Sequence, residues 1–139
     1  MNNEMLLEFN SIAQNESFAR VVVAAFVTQL DPNLEELADI KTAVSEAVTN
    51  AIIHGYEDKD GRIRIGTRLE GNRVTIEIED FGKGIADIEK AMEPLYTSKP
   101  DLERSGMGFS FMEAFMDDLI VESVVNEGTK ITMRKVIGK

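Results

Sequence analysis

Glu46 and Asn50 lie four residues apart, in a stretch where Leu37, Ile40, Val44, Ala47, Val48 and Ala51 recur at the helical period. That spacing puts the carboxylate and the amide on one helix face, a turn apart, flanking the apolar stripe. There the carboxylate can serve a hydroxyl and the amide a metal. A solvated helix edge would carry the same two residue types. Asp80-Phe81-Gly82-Lys83-Gly84 is a second candidate. Asp80 ends an alternating strand pattern, and two glycines at alternate positions follow it. Such glycines let the backbone turn sharply and let a flat or anionic ligand approach the main chain. The aspartate can accept a hydrogen bond from an exocyclic amine, although Asp and Gly are also ordinary turn residues. Ser105-Gly106-Met107-Gly108 leads into a helix that starts near Phe109. Glycine-rich backbone feeding a helix N-terminus is either an anion cradle, through free amides and the helix dipole, or a hinge. Gly128-Thr129 opens the last strand and is weak evidence by itself.

Three lookalikes fail. Asp80-Phe81-Gly82 spells a kinase triplet, but no His-Arg-Asp loop precedes it and 139 residues are too few for that fold. No Gly-Lys pair has the spacing of a P-loop. Gly82-Lys83-Gly84 lacks the third glycine of a dinucleotide fingerprint.

These residues need elements to position them. Residues 5–10 suit a short strand, and residues 17–30 a helix that is apolar nearly all round. Asp31-Pro32 breaks the chain. Asn33 and Glu36 then have the spacing of a capping box for the helix that carries Glu46 and Asn50, which is expected to run to about His54. Gly55 is a plausible stop. Ile63, Ile65, Thr67 and Leu69 alternate with polar residues, and so do Val74, Ile76 and Ile78. Two period-2 runs joined by Glu70-Gly71-Asn72 predict an antiparallel hairpin with one wet face. Residues 85–107 hold glycine and proline breaks and one short helical stretch, 87–92, as in a lid or binding loop. A helix over 109–116 and a second hairpin, 119–125 with 129–136, close the chain. The expected fold class is an α/β two-layer sandwich: a mixed, mostly antiparallel sheet with helices on one face.

Composition narrows the chemistry. Fifteen Lys+Arg against 25 Asp+Glu give a net charge of −10, which argues against nucleic-acid binding and permits a basic protein partner. The absence of cysteine excludes disulfides, thiol catalysis and Cys-based zinc sites, and one histidine excludes a His-rich metal site. The longest apolar run, 21–27, is too short for a membrane span, and no targeting segment is recognisable, so a cytoplasmic protein is expected. The length suits a single domain, 1–139.

In order, Glu46-xxx-Asn50, Asp80-x-Gly82-x-Gly84, Gly106-x-Gly108 and Gly128-Thr129 resemble the GHKL, or Bergerat-fold, ATP-binding superfamily of gyrase B, histidine kinases and MutL. The resemblance covers about residues 35–137. Residues 46–56 and the compact lid with Tyr96-Thr97-Ser98-Lys99-Pro100 are most similar to the anti-sigma serine kinases of sporulating firmicutes. The resemblance implies ATP, ADP and Mg²⁺ as ligands. It implies that Asp80 bonds the adenine amine and that Gly82 and Gly84 let the chain pass beside the base. Thr129 would reach the adenine by its hydroxyl, Asn50 would ligate Mg²⁺, and Glu46 would orient or deprotonate the attacking hydroxyl. Gly106, Met107 and Gly108 amides would touch phosphate, with Thr97, Ser98, Lys99, Arg104 and Ser105 as further nucleotide contacts in a lid spanning 85–108. The partners implied are a sporulation sigma factor and a small anti-anti-sigma phosphoacceptor. The alternative is a general GHKL ATPase, or a histidine-kinase-like ATP domain without sigma binding. His54 is expected to be structural, because the phosphoacceptor histidine of that class lies outside the ATP domain. The apolar helix has more than one face to bury, so a homodimer through residues 1–30 is expected. Glu16 and Arg20 could mark a partner contact or form a surface ion pair of ~0.3–0.5 kcal/mol.

Overall fold

The computed structural model describes residues 1–93 and 108–138. Its five strands are β1 (Asn2–Asn10), β2 (Arg62–Glu70), β3 (Arg73–Asp80), β4 (Asp118–Val124) and β5 (Gly128–Val136). They form one sheet in the order β1-β2-β3-β5-β4. Mixed and antiparallel pairing were both open from sequence, and all four pairings are antiparallel. β1 starts three residues earlier than its apolar pattern suggests. Asn2, Asn3 and Glu4 pair with Glu70, Leu69 and Arg68, and an edge ladder needs only backbone groups.

The alternation read from sequence decides which face of the sheet is covered. Ile63, Ile65, Leu69, Val74, Ile76, Ile78, Ile131 and Met133 are buried on one face. They share a core with residues of α1 (Gln14–Val27), α2 (Leu34–Asn50) and α4 (Gly108–Phe115). The other face is wet and charged. The cross-strand register sets Glu8, Arg64, Glu79, Lys130 and Glu122 in one row of alternating sign. Arg64 lies 3.9 Å from Glu8 and 3.8 Å from Glu79, pairs of the exposed kind that contribute little each.

α2 begins as its sequence predicts. The Asn33 side chain accepts from the Glu36 N–H at 2.7 Å, and Glu36 Oε1 accepts from the Asn33 N–H at 2.9 Å. Ile40, Ala43, Val44, Ala47 and Val48 form its buried stripe. The α-helix ends at Asn50, and residues Ala51–Gly55 continue as one π-helical turn. The helical stretch therefore does reach His54, but its last turn is widened. Such turns recur at functional sites. α1 is followed by a 3₁₀ turn, Thr28–Leu30, which ends on Asp31 at φ 51°. Of the expected lid, one short helix is described: α3 (Ile88–Ala91), capped by Asp87, whose carboxylate accepts from the Lys90 N–H at 3.0 Å.

Candidate functional site

The central residue is Asp80, the last of β3 and 4% exposed. The sheet register sets it beside Thr129 on β5, and Thr129 beside Ser123 on β4. Ile63 on β2 completes this row on the helix-covered face. Burial pushes the Asp80 carboxyl up to about 6. The backbone N–H groups of Gly82 and Thr129 pull the other way and hold it lower than burial alone would, while the charge on Glu79 adds a smaller upward push. The Gly82 N–H donates to Asp80 Oδ1 at 3.0 Å.

Glycines build the wall around this carboxylate. A Cβ on Gly55 would stand 2.8 Å from Asp80 Cγ, so the end of the π turn is packed directly on the carboxylate. A Cβ on Gly82 would stand 2.0 Å from the Gly55 carbonyl oxygen. The Lys83 N–H donates to that same carbonyl at 2.9 Å. Gly84 has φ +75°, and a Cβ there would meet the Val124 carbonyl oxygen at 2.3 Å. Gly128 has φ +126° and packs on the Asp80 carbonyl. The loop after Asp80 is therefore pinned between the foot of α2 and the β4–β5 hairpin, and no side chain fits at those points.

Two further residues lock the loop, and neither was singled out from sequence. Tyr56 Oη accepts from the Phe81 N–H at 2.7 Å and donates to the Arg62 carbonyl at 2.6 Å. Ser123 Oγ accepts from the Ile85 N–H at 2.7 Å, donates to the Gly128 carbonyl at 2.9 Å and lies 2.8 Å from Thr129 Oγ1. The Ser123 signal was present in the second hairpin. Symmetric pairing about Val125-Asn126-Glu127 puts Ser123 opposite Thr129.

The structure thus brings Asp80, Gly82 and Thr129 together at one carboxylate, with Gly84 further along the loop against Val124. Glu46 and Asn50 sit on α2, upstream of Gly55 and partly exposed, one turn apart as their spacing requires. Glu46 lies four residues before the end of α2, with the π turn between that end and Gly55. Gly108 is the first residue of α4. Thr97, Ser98, Lys99, Arg104, Ser105, Gly106 and Met107 lie outside the described residues. Among the described residues no group of three or more His, Cys, Asp or Glu is placed to hold a metal ion. A lone amide donor such as Asn50 fits Mg²⁺, which keeps several waters and takes its remaining oxygens from substrate phosphates.

The fold recurs in known proteins. The model of the histidine kinase-like ATPase domain matches residues 10–135. The chain belongs to this family. It is 65% identical over 134 residues to the anti-sigma F factor of Clostridium botulinum strain Eklund 17B, covering 96% of this chain and 94% of that one. It is 59% identical over 140 residues to the anti-sigma F factor of Anoxybacillus flavithermus, covering 100% of this chain and 96% of that one. Among solved structures, a Mycobacterium tuberculosis protein with RsbU and RsbW domains superposes at TM-score 0.70 with 19% identity, over 97% of this chain and 32% of that one. The catalytic domain of the histidine kinase ThkA, in a nucleotide-free form, superposes at 0.57, also with 19% identity, over 96% and 97%. These two likenesses show the fold. Membership of a histidine kinase-like ATPase family implies that the chain binds ATP or ADP. No helix among the described residues is long and apolar enough to cross a membrane.

Proposed function

We propose that this chain is a cytoplasmic, ATP-dependent protein serine kinase that also acts as an anti-sigma factor, holding a sporulation sigma factor and inactivating a small anti-anti-sigma protein by phosphorylation. The observation that carries the reading is the buried Asp80 carboxylate, packed on Gly55 and bonded to the Gly82 N–H, at the foot of the helix that bears Glu46 and Asn50. The names of the relatives support the choice of partners.

In this reading Asp80 and Thr129 take the adenine amine, and Gly82 and Gly84 let the ring lie against the main chain. Asn50 would supply one oxygen to Mg²⁺. The metal's contribution, when bound, is to neutralise charge on the transferring phosphoryl group. Glu46 receives the proton of the acceptor serine hydroxyl as its oxygen bonds to the γ-phosphorus and the bond to the β–γ bridging oxygen breaks. The ADP oxygen leaves in line. A lid over residues 85–108, with Thr97, Ser98, Lys99, Arg104, Ser105, Gly106, Met107 and Gly108, supplies amides and positive charge to the phosphates.

The acceptor has a route to Glu46. A groove of about 400 Å³ between α1 and α2 is lined by Arg20, Val21, Lys41, Ser45 and Glu46, among others. Arg20 stands 3.9 Å from Glu16 at its rim, which makes the i,i+4 pair a structural fact and leaves its partner role as a proposal. On α1, Phe18 is 51% and Val21, beside the groove, 59% exposed, and Leu6, on the open sheet face, is 66% exposed. These unburied apolar side chains support a homodimer through residues 1–30.

Transfer of label from γ-labelled ATP to a serine of the anti-anti-sigma protein tests the kinase. Glu46→Gln is expected to keep nucleotide affinity within a few fold while slowing transfer by about a hundredfold or more. Transfer at the wild-type rate would remove Glu46 from the mechanism. Capture of the sigma factor by the ATP-loaded protein separates this reading from an ATPase that binds no sigma factor.

A further inference from the structure

Ser123 is a hydroxyl with a complete set of partners. Its oxygen has two lone pairs and one proton. The Ile85 N–H occupies one lone pair at 2.7 Å. The Gly128 carbonyl, buried and 2.9 Å away, can only accept, so it takes the Ser123 proton. With its single proton on the Gly128 carbonyl, Ser123 has none to give to Thr129. The remaining contact, 2.8 Å from Ser123 Oγ to Thr129 Oγ1, is then a bond that Thr129 donates. No other partner of the Thr129 hydroxyl is found among the described residues.

We infer that Ser123 is a positioning residue that fixes the proton of Thr129 away from the ligand, so that the Asp80–Thr129 pair presents acceptors only and selects a purine with a 6-amino group over one with a 6-oxo group. The inference rests on the reading of Asp80 as the base site. A carboxylate and a hydroxyl whose proton is committed elsewhere match two amine hydrogens, and oppose a carbonyl oxygen in the same place. Without Ser123 the Thr129 hydroxyl turns freely and can donate to that oxygen. Ser123 touches no ligand itself; it acts through Thr129 and through the Ile85 amide that ends the glycine loop.

The test is the ratio of affinities for IDP and ADP, measured by titration calorimetry with Mg²⁺ on the full chain. The wild type is expected to favour ADP. Ser123→Ala should narrow that preference about tenfold, and Ser123→Thr, which keeps the hydroxyl, should retain it. In a Thr129→Val background, removing Ser123 should change the preference no further. Should Ser123→Ala fail to fold, Ser123→Cys, with a weaker donor and acceptor of similar size, is read the same way. A merely structural role for Ser123 would weaken both nucleotides equally, and an unchanged ratio in Ser123→Ala would overturn the inference. A wild type that binds neither nucleotide would overturn the base site itself, and this inference with it.

Discussion

Burial lifts the Asp80 carboxyl from 3.8 to about 6, so at neutral pH the folded protein holds an ionised group in a place that disfavours its charge. The sign follows from proton counting. Between about pH 4 and 6 the folded state binds more protons than the unfolded one, so this group's contribution to stability falls as pH rises through that window. Replacing it with the isosteric amide removes the charge. Asp80→Asn should therefore raise stability at pH 7 by on the order of 2–3 kcal/mol, with the gain fading below about pH 4, as urea unfolding at the two pH values would show. An equal or lower stability at pH 7 would mean that the Gly82 and Thr129 amides already compensate the buried charge. The same substitution should lose adenine discrimination, because an amide nitrogen replaces one acceptor. Asp80 stands out in the sequence as a strand end followed by glycines, whereas Gly128-Thr129 is weak by itself and Thr129 enters through the family resemblance. Tyr56 and Ser123 could not be picked by residue type alone. Each acts through contacts made by other parts of the chain: Phe81 and Arg62 for the tyrosine, Ile85 and Gly128 for the serine.

At the scale of elements, local signals were legible and long-range fits were not. The capping box at Asn33 and Glu36 is written in two residues and forms as expected. Asn33→Ala should cost about 1 kcal/mol in denaturant unfolding, with little change in nucleotide affinity, since the cap lies at the far end of α2 from Gly55. The hairpin alternation was equally plain, because period-2 burial needs only the strand itself. The π turn was not visible. Residues 51–55 read as continued helix, and the widening matters through what it delivers: Gly55 packed against Asp80 and Gly82. Gly55 looked like a helix stop, yet its tighter constraint is this close approach. Gly82→Ala should abolish ATP binding while the fold persists, because a Cβ 2.0 Å from the Gly55 carbonyl forces the loop off the helix. Retained affinity, read by calorimetry beside an unchanged circular dichroism spectrum, would show that the loop can shift without harm to the cleft.

The molecule as a whole presents three faces with different chemistry. The end at the foot of α2 carries the buried Asp80 carboxylate. The open sheet face carries rows of paired charge, with Arg68 and Lys130 both 2.8 Å from Glu77. Helix α1 has an apolar side with Phe18 and Val21 exposed, while Leu6 is exposed on the open sheet face. A dimer built on that apolar side should sediment as two chains at tens of micromolar. Val21→Asp should shift it toward the monomer, because burying an unpaired carboxylate at an interface is costly. A monomeric wild type would leave residues 1–30 without the proposed role. With a net charge of −10, the protein should also bind a basic partner more slowly as salt rises.

The central claim is that a purine with an exocyclic amine sits on Asp80. Calorimetric titration of the wild type with Mg-ATP and with Mg-GTP tests it most directly. The account predicts saturable binding of one ATP per chain, with GTP at least about a hundredfold weaker because its 6-oxo group faces the carboxylate. Equal affinities, or no heat from ATP at saturating concentration, would contradict it.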